Sequence, residues 1–305
     1  DLPPFRYEPL QPGEVRLLLP TGEEQGLSWT LQTVNLDNEL EFDALSYVWG
    51  LQEESFPITC NNQRHHVHHN LHTALPYLAD RHKYKHRWKW SSVPSQEEHG
   101  SEGSDKDDSS PGNKRMDLDP DHRGRDLEEG PPSAVENLEH EENGQCTWVR
   151  TDSQIVPSLR PIWIDALCIN QEDEEEKAVQ IALMNNVYRR ANMVWVWLGL
   201  AEHRNLVEAA IDWLPYLATA GRLASRVSKQ QNGTTVSQAT YLKAVRRIDR
   251  ATWRTLFHIL LNDWFRRLWI VQEYALAQEV TFLCAQHAVL SSLLESTLKD
   301  ARILE

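Results

Sequence analysis

Hydrophobic and polar positions alternate in short runs over the first ninety residues, and the runs lengthen after residue 160. EVRLLLP (14–20), LSWTLQTVNL (27–36) and FDALSYVWG (42–50) are strand patterns. The last is nearly continuous and apolar, as a strand buried on both faces is. FPITC and QRHHVHH flank Asn61-Asn62. Asparagine tolerates positive φ, so this stretch predicts a hairpin. Asn70 is placed to cap a short helix over LHTALPYLADRH. The basic run RHKYKHRWKW (81–90) reads either as an anion-binding stretch or as the solvated continuation of that helix, and the second is preferred.

Past residue 160 the pattern is strand, helix, strand. RPIWIDALCIN (160–170) is apolar and bounded, which predicts a strand. EDEEEKAVQIALMNNVYRRA (172–191) carries acids in its first turn and arginines in its last, the order the helix dipole favours. Val179, Leu183 and Val187, with Ala182 and Asn186 beside them, are its expected inward face. MVWVWLG is the next strand, stopped at Gly199, and helices are expected over 204–222 and 239–261. RRLWIVQEYALA (266–277) reads as a helix apolar on nearly every side, with Glu273 in its middle. VTFLCAQHAVL closes the pattern as a strand or hairpin. This alternation predicts an α/β fold, with a mainly parallel central sheet flanked by helices and an N-terminal β-rich extension.

Residues 91–145 break the pattern. They hold 16 Asp and Glu against five Lys and Arg, with almost no aromatics. Such a segment buries too little apolar surface to offset its ordering entropy, so a disordered acidic insertion is expected inside one domain spanning 1–305. It also carries most of the chain's net charge of −14, leaving the rest near neutral. That balance argues against nucleic acid and anionic membrane as partners. No apolar run nears the ~20 residues of a membrane span. The four cysteines are far apart in sequence, and a cytoplasmic protein with reduced thiols is expected. Cys168 and Cys284 fall in apolar runs and are expected in the core. The chain stops inside a helical pattern, which suggests a domain of a longer protein. A dehydrogenase or P-loop enzyme is disfavoured, because neither G-x-G-x-x-G after a strand nor G-x-x-x-x-G-K-[ST] occurs.

Candidate chemistry sits in three places. Ser46, Tyr47 and Trp49 end one buried strand, and Asp165, Asn170 and Gln171 end another; ligands of open α/β sheets collect at such ends. Asp165 and Asn170 are also placed to satisfy backbone groups at the turn into the next helix, and for these two that structural role is preferred. Glu273 lies four residues after Trp269, so the two share a helix face. A carboxylate beside an indole in apolar surroundings is poised for function by desolvation. Alternatively it is paired with Arg266, Arg267 or an arginine of a neighbouring helix. The histidines of HHVHHNLH (65–72) read as a solvated strand face, without the partners from other elements that a metal site draws on.

FDALSYVWG, PIWIDALCINQEDEEEKAVQIALMNNVYRRANMVWVWLG and WFRRLWIVQEYALA together resemble, in order, the fungal heterokaryon-incompatibility (HET) domain. That family is associated with regulated cell death after recognition of non-self, often at the head of a longer receptor-like protein. A more distant resemblance links FDALSY to the first strand of TIR domains. Trp269-x-x-x-Glu273 is similar to their Trp-Cys-x-x-Glu motif, with Ile270 in place of the cysteine. The second resemblance implies a TIR-like or flavodoxin-like core and hydrolysis of NAD at the nicotinamide–ribose bond. It makes Glu273 catalytic and places Ser46, Tyr47, Trp49, Asp165, Asn170 and Trp269 around NAD, the substrate, with no cofactor. Self-association on activation and C-terminal regulatory domains are the implied partners. The other reading is a non-catalytic module that triggers death by self-association or partner binding.

Overall fold

The computed structural model describes residues 2–22, 26–51, 53–85, 88–92, 146–151, 153–156, 158–201, 206–230 and 245–301. The strands are β1 (Glu14–Pro20), β2 (Ser28–Asn35), β3 (Asp43–Tyr47), β4 (Ser55–Cys60), β5 (Gln63–His68), β6 (Trp88–Ser92), β7 (Cys146–Arg150), β8 (Ile162–Trp163), β9 (Met193–Trp197), β10 (Val280–Cys284) and β11 (His287–Leu290). The helices are α1 (His69–Ala79), α2 (Asp165–Cys168), α3 (Glu174–Arg190), α4 (Val207–Gln230), α5 (Arg250–Leu260), α6 (Ile270–Ala275) and α7 (Ser291–Ala301).

Nine strands form one sheet in the order β11-β10-β9-β3-β8-β1-β2-β4-β5. Its centre, β10-β9-β3-β8, is parallel. β1 joins β8 antiparallel, so the N-terminal strands extend the same sheet. The sheet is therefore mixed, and less parallel than the sequence pattern suggested, because the hairpins β1–β2, β4–β5 and β10–β11 are part of it. The β4–β5 turn has φ of 51° at Asn61 and 58° at Asn62, as expected of asparagines in a tight hairpin.

β3 and β9 are buried at every residue, which explains their continuous apolar runs. RPIWIDALCIN is not one strand. Only Ile162 and Trp163 pair, and the chain then turns into α2, whose first residue is Asp165. Helix α3 begins where the acids predict, with the Asp173 side chain accepting from the amides of Glu175 and Glu176. Its inward face is rotated from the expected one. Gln180, Met184, Val187 and Tyr188 are buried, whereas Val179 is 54% exposed and Ala182 and Asn186 face outward.

Two further expectations change. His68, not Asn70, precedes α1, and the Asn70 side chain instead donates to the Val48 carbonyl and accepts from the Trp197 indole. It thus ties the ends of β3 and β9 together. The basic run after α1 is no solvated helix face either: Arg81 is fully buried against Asp43, and Trp88 starts a strand.

Residues 93–145 lie outside the described residues, so the expectation of disorder falls there; Ser91 and Ser92 belong to β6. The strands on either side pair directly, Ser92 opposite Cys146. The ends of the acidic segment therefore meet in a hairpin. Since closure entropy grows slowly with loop length, replacing 93–145 by a short Gly/Ser turn is expected to leave the melting temperature within a few degrees. A collapse in soluble yield would show that the segment is structural.

Candidate functional site

β3 and β8 run parallel, so their carboxyl ends open on one edge of the sheet. Trp49 follows β3 after Val48, and Asp165 follows β8 after Ile164. Helix α6 supplies the facing wall, with Trp269 as its N-terminal flanking residue, and it packs against α3. Between them is a cavity of about 390 Å³, whose lining includes Trp49, Asp165, Gln171, Arg267, Trp269 and Glu273.

The helix around Glu273 explains why a carboxylate sits in an apolar stretch. Glu273 is the residue of α6 that turns inward, 2% exposed, while Leu268, Trp269 and Val271 are 84%, 48% and 68% exposed. Those three leave the core, while Ile270, Tyr274 and Ala277 pack against it. Arg267 donates from both terminal nitrogens, 3.0 Å to Oε2 and 2.9 Å to Oε1. Ser46 also donates to Oε2, and its oxygen accepts from the Trp264 indole at 2.6 Å. A forked, charge-assisted pair is the strong form of such a contact. The ion-pair alternative thus has a named partner, Arg267, and both partners also line the cavity.

Asp165 is half-buried at the start of α2. Its Oδ2 accepts from the Trp49 indole at 2.9 Å and its Oδ1 from the Ala166 amide at 2.7 Å, while its carbonyl accepts from Gln171 at 3.0 Å. The residue therefore does both things the sequence allowed: it shapes the turn and faces the cavity. Loss of hydration pushes its carboxyl up to about 6; the two hydrogen bonds oppose this, and the Glu273 charge adds to it.

This shift has a consequence for stability. The folded state favours neutral Asp165, a stabilisation fully present below the ordinary value near 3.8 and lost as pH rises through about 6. Asp165→Asn cannot ionise and escapes that loss. Its stability relative to the wild type is expected to improve by up to about 2–3 kcal/mol between pH 4 and pH 8. Urea unfolding of both proteins at several pH values reads this directly, and a constant difference would refute it.

Ser46 is buried beneath Glu273, while Tyr47 and Asn170 line a neighbouring cavity. Burial, and then the Asp165 charge, push the Tyr47 hydroxyl well above its ordinary value. Asn170 has a turn role: its amide donates to Glu176 at 2.7 Å and its side chain accepts from the Glu172 amide at 3.3 Å. Lys177 is a lining residue the sequence reading missed. A lysine one turn into α3 reads as part of a charged surface, and only the fold shows that α3 starts at the cavity.

Among the described residues no group of three or more His, Cys, Asp or Glu is placed to hold a metal ion. His65 bonds to the Tyr7 hydroxyl at 3.0 Å, and His68 to the Glu54 carbonyl at 3.2 Å. Cys60, Cys168 and Cys284 are buried free thiols; burial pushes Cys60 up to about 12 and Cys284 to about 11. No described helix is long and apolar enough to cross a membrane.

These features define an α/β domain with a polar, aromatic-walled cavity at the carboxyl ends of its central strands. The model of the family "Heterokaryon incompatibility protein (HET)" matches residues 133–273, a span that ends on Glu273 and includes Asp165, Asn170 and Trp269. The likeness to the HET domain thus rests on this segment, just under half of the chain. The chain is also 32% identical over 155 residues to "Heterokaryon incompatibility protein 6, OR allele" of Neurospora crassa, a match covering 46% of this chain and 22% of that protein. The chain thus spans about a fifth of that relative's length. No solved structure matches it.

Proposed function

We propose that the chain is a HET domain, a cytoplasmic effector of fungal non-self recognition that drives cell death by hydrolysing NAD at its nicotinamide–ribose bond. The observation that carries the reading is the placement of Glu273. It is buried at the carboxyl ends of parallel strands, yet lines a cavity between two indoles, Trp49 and Trp269.

The chemistry suits one carboxylate. Breaking the C1′–N bond leaves its electron pair on nicotinamide, which departs neutral, and an oxocarbenium-like ribosyl centre forms, as in glycoside hydrolysis. Glu273 stabilises that centre electrostatically, in a setting largely withdrawn from water. Water adds to C1′ and gives up a proton, for which Asp165 is the nearby acceptor; a carboxyl near 6 is suited to that task at neutral pH. Arg267 pairs with Glu273, so for Glu273 to face the ribosyl centre Arg267 must part from it. Its side chain is 19% exposed and lines the cavity, so it has room to turn toward water. Release of nicotinamide from NAD by the purified, concentrated protein is the test, and no release at any concentration overturns the reading.

The exposed apolar residues Leu268, Trp269 and Val271 favour a second reading, a non-catalytic module that assembles through this stripe. Sedimentation of the purified chain over a range of concentrations tests it.

A further inference from the structure

The Glu273 cavity continues past Trp49. Trp49, Gln171 and Lys177 line it on one side and line a second cavity of about 570 Å³ on the other. Both volumes are in the range of small-molecule sites, roughly 300–1,000 Å³. Three shared residues make the two spaces adjoining halves of one cleft.

The halves differ in chemistry. The first holds two carboxyl groups, Asp165 and Glu273, the second of them paired with Arg267, and Lys177 borders both halves. The second is lined by Arg64 and Lys177, by the histidines of β5, and by Tyr7, with Glu172 as its acid. Arg64 pairs through its backbone with Pro3 and Phe5, and no described carboxylate engages its guanidinium. Lys177 has only a 3.4 Å contact with Glu174, itself 82% exposed. Surface pairs of this kind are weak and readily exchanged for a better anion. Arg64 and His66 stand two apart on the strand and so share one face. In a near-neutral fold, Arg64 with no described carboxylate partner and Lys177 with only a weak one, lining the same cavity, form a site for an anionic group.

We infer that the second half binds the adenosine-diphosphate end of a dinucleotide, with Arg64 as the residue that recognises the diphosphate and Trp49 dividing the two halves. This rests on the reading of Glu273 as the NAD-cleaving carboxylate, and it adds a specificity. The cleft takes the dinucleotide in preference to nicotinamide riboside, which has no phosphate.

Calorimetric titration with ADP tests the subsite without any need for turnover. The wild type is expected to bind ADP, more weakly as salt rises, and Arg64→Glu to bind it roughly ten-fold more weakly or worse, as loss of a charged hydrogen bond predicts. Arg64 is exposed, so the variant should fold, and its melting temperature checks that. The ratio of kcat/KM for NAD to that for nicotinamide riboside should fall by a similar factor. ADP that fails to bind, or binds both proteins equally, overturns the subsite. If ADP binding depends on Arg64 while neither substrate is cleaved, the subsite stands and the glycohydrolase reading falls.

Discussion

Arg81→Met is expected to destabilise the domain by ~3–5 kcal/mol, because it strands the fully buried carboxylate of Asp43. Arg81 and Asp43 are both 0% exposed and 3.1 Å apart. The Arg81 guanidinium also donates to the carbonyls of Leu78, at 2.8 Å, and Arg160. Burial pulls it down from its ordinary value, and the Asp43 charge opposes that pull. Methionine fills most of the space but replaces none of these bonds. Asp43 would keep the Trp195 indole at 3.2 Å and the more distant Arg160 at 3.4 Å. Domains of this size have only about 5–15 kcal/mol of stability in total, so the loss is large. Urea unfolding measures it, and a loss under about 1 kcal/mol would mean that Arg160 closes on Asp43 and replaces the pair. The double variant Asp43→Asn/Arg81→Met should cost less than the sum of the single changes, since no charge is then left buried alone.

This pair also shows where the sequence could be read and where it could not. The strands that are continuous apolar runs, β3, β9 and β10, were legible because period and burial say the same thing. So was the start of α3, where four acids meet the helix dipole. RHKYKHRWKW was misread for a physical reason: a basic run has no periodicity that separates one buried arginine from its solvated neighbours. The partner, Asp43, lies 38 residues earlier and gives no local signal. The inward face of α3 was misplaced because Gln180 faces in, donating to the Glu14 carbonyl at 2.9 Å, while Val179 and Ile181 face out. Hydrophobic periodicity cannot anticipate a buried amide or exposed valines. The end of β3 at Tyr47 was legible from its apolar run, but that of β8 at Trp163 was not, because the apolar run continues through α2 to Asn170. Arg267 was nameable as a partner for Glu273, but it stands between a 3₁₀ segment, Asp263–Arg266, and the start of α6 at Ile270, a break in the helix that no pattern announced.

Glu273→Gln is expected to abolish nicotinamide release while leaving a folded domain. Glutamine keeps the size and an acceptor oxygen for Ser46 or Arg267, so the walls of the cavity persist. What is lost is the negative charge that steadies the ribosyl cation, and removal of one preorganised electrostatic group costs about 10²–10³ in rate or more. The stability cost follows from the pair. A fully buried arginine left alone would cost ~3–5 kcal/mol, but Arg267 is 19% exposed and faces the cavity, where it can reach water. A loss of about 1–2 kcal/mol is therefore expected, smaller than that of Arg81→Met. Arg267→Ala gives the complementary result. It leaves Glu273 charged beside Ser46 with its oxygens partly free, so melting should fall while some NAD cleavage survives. The two variants together decide between the readings. A purely structural pair predicts similar losses of stability from both and no NAD consumption by the wild type. A catalytic Glu273 predicts that activity vanishes with the glutamine variant at temperatures where circular dichroism shows it folded. Full NAD cleavage by a folded Glu273→Gln protein would remove Glu273 from the chemistry altogether.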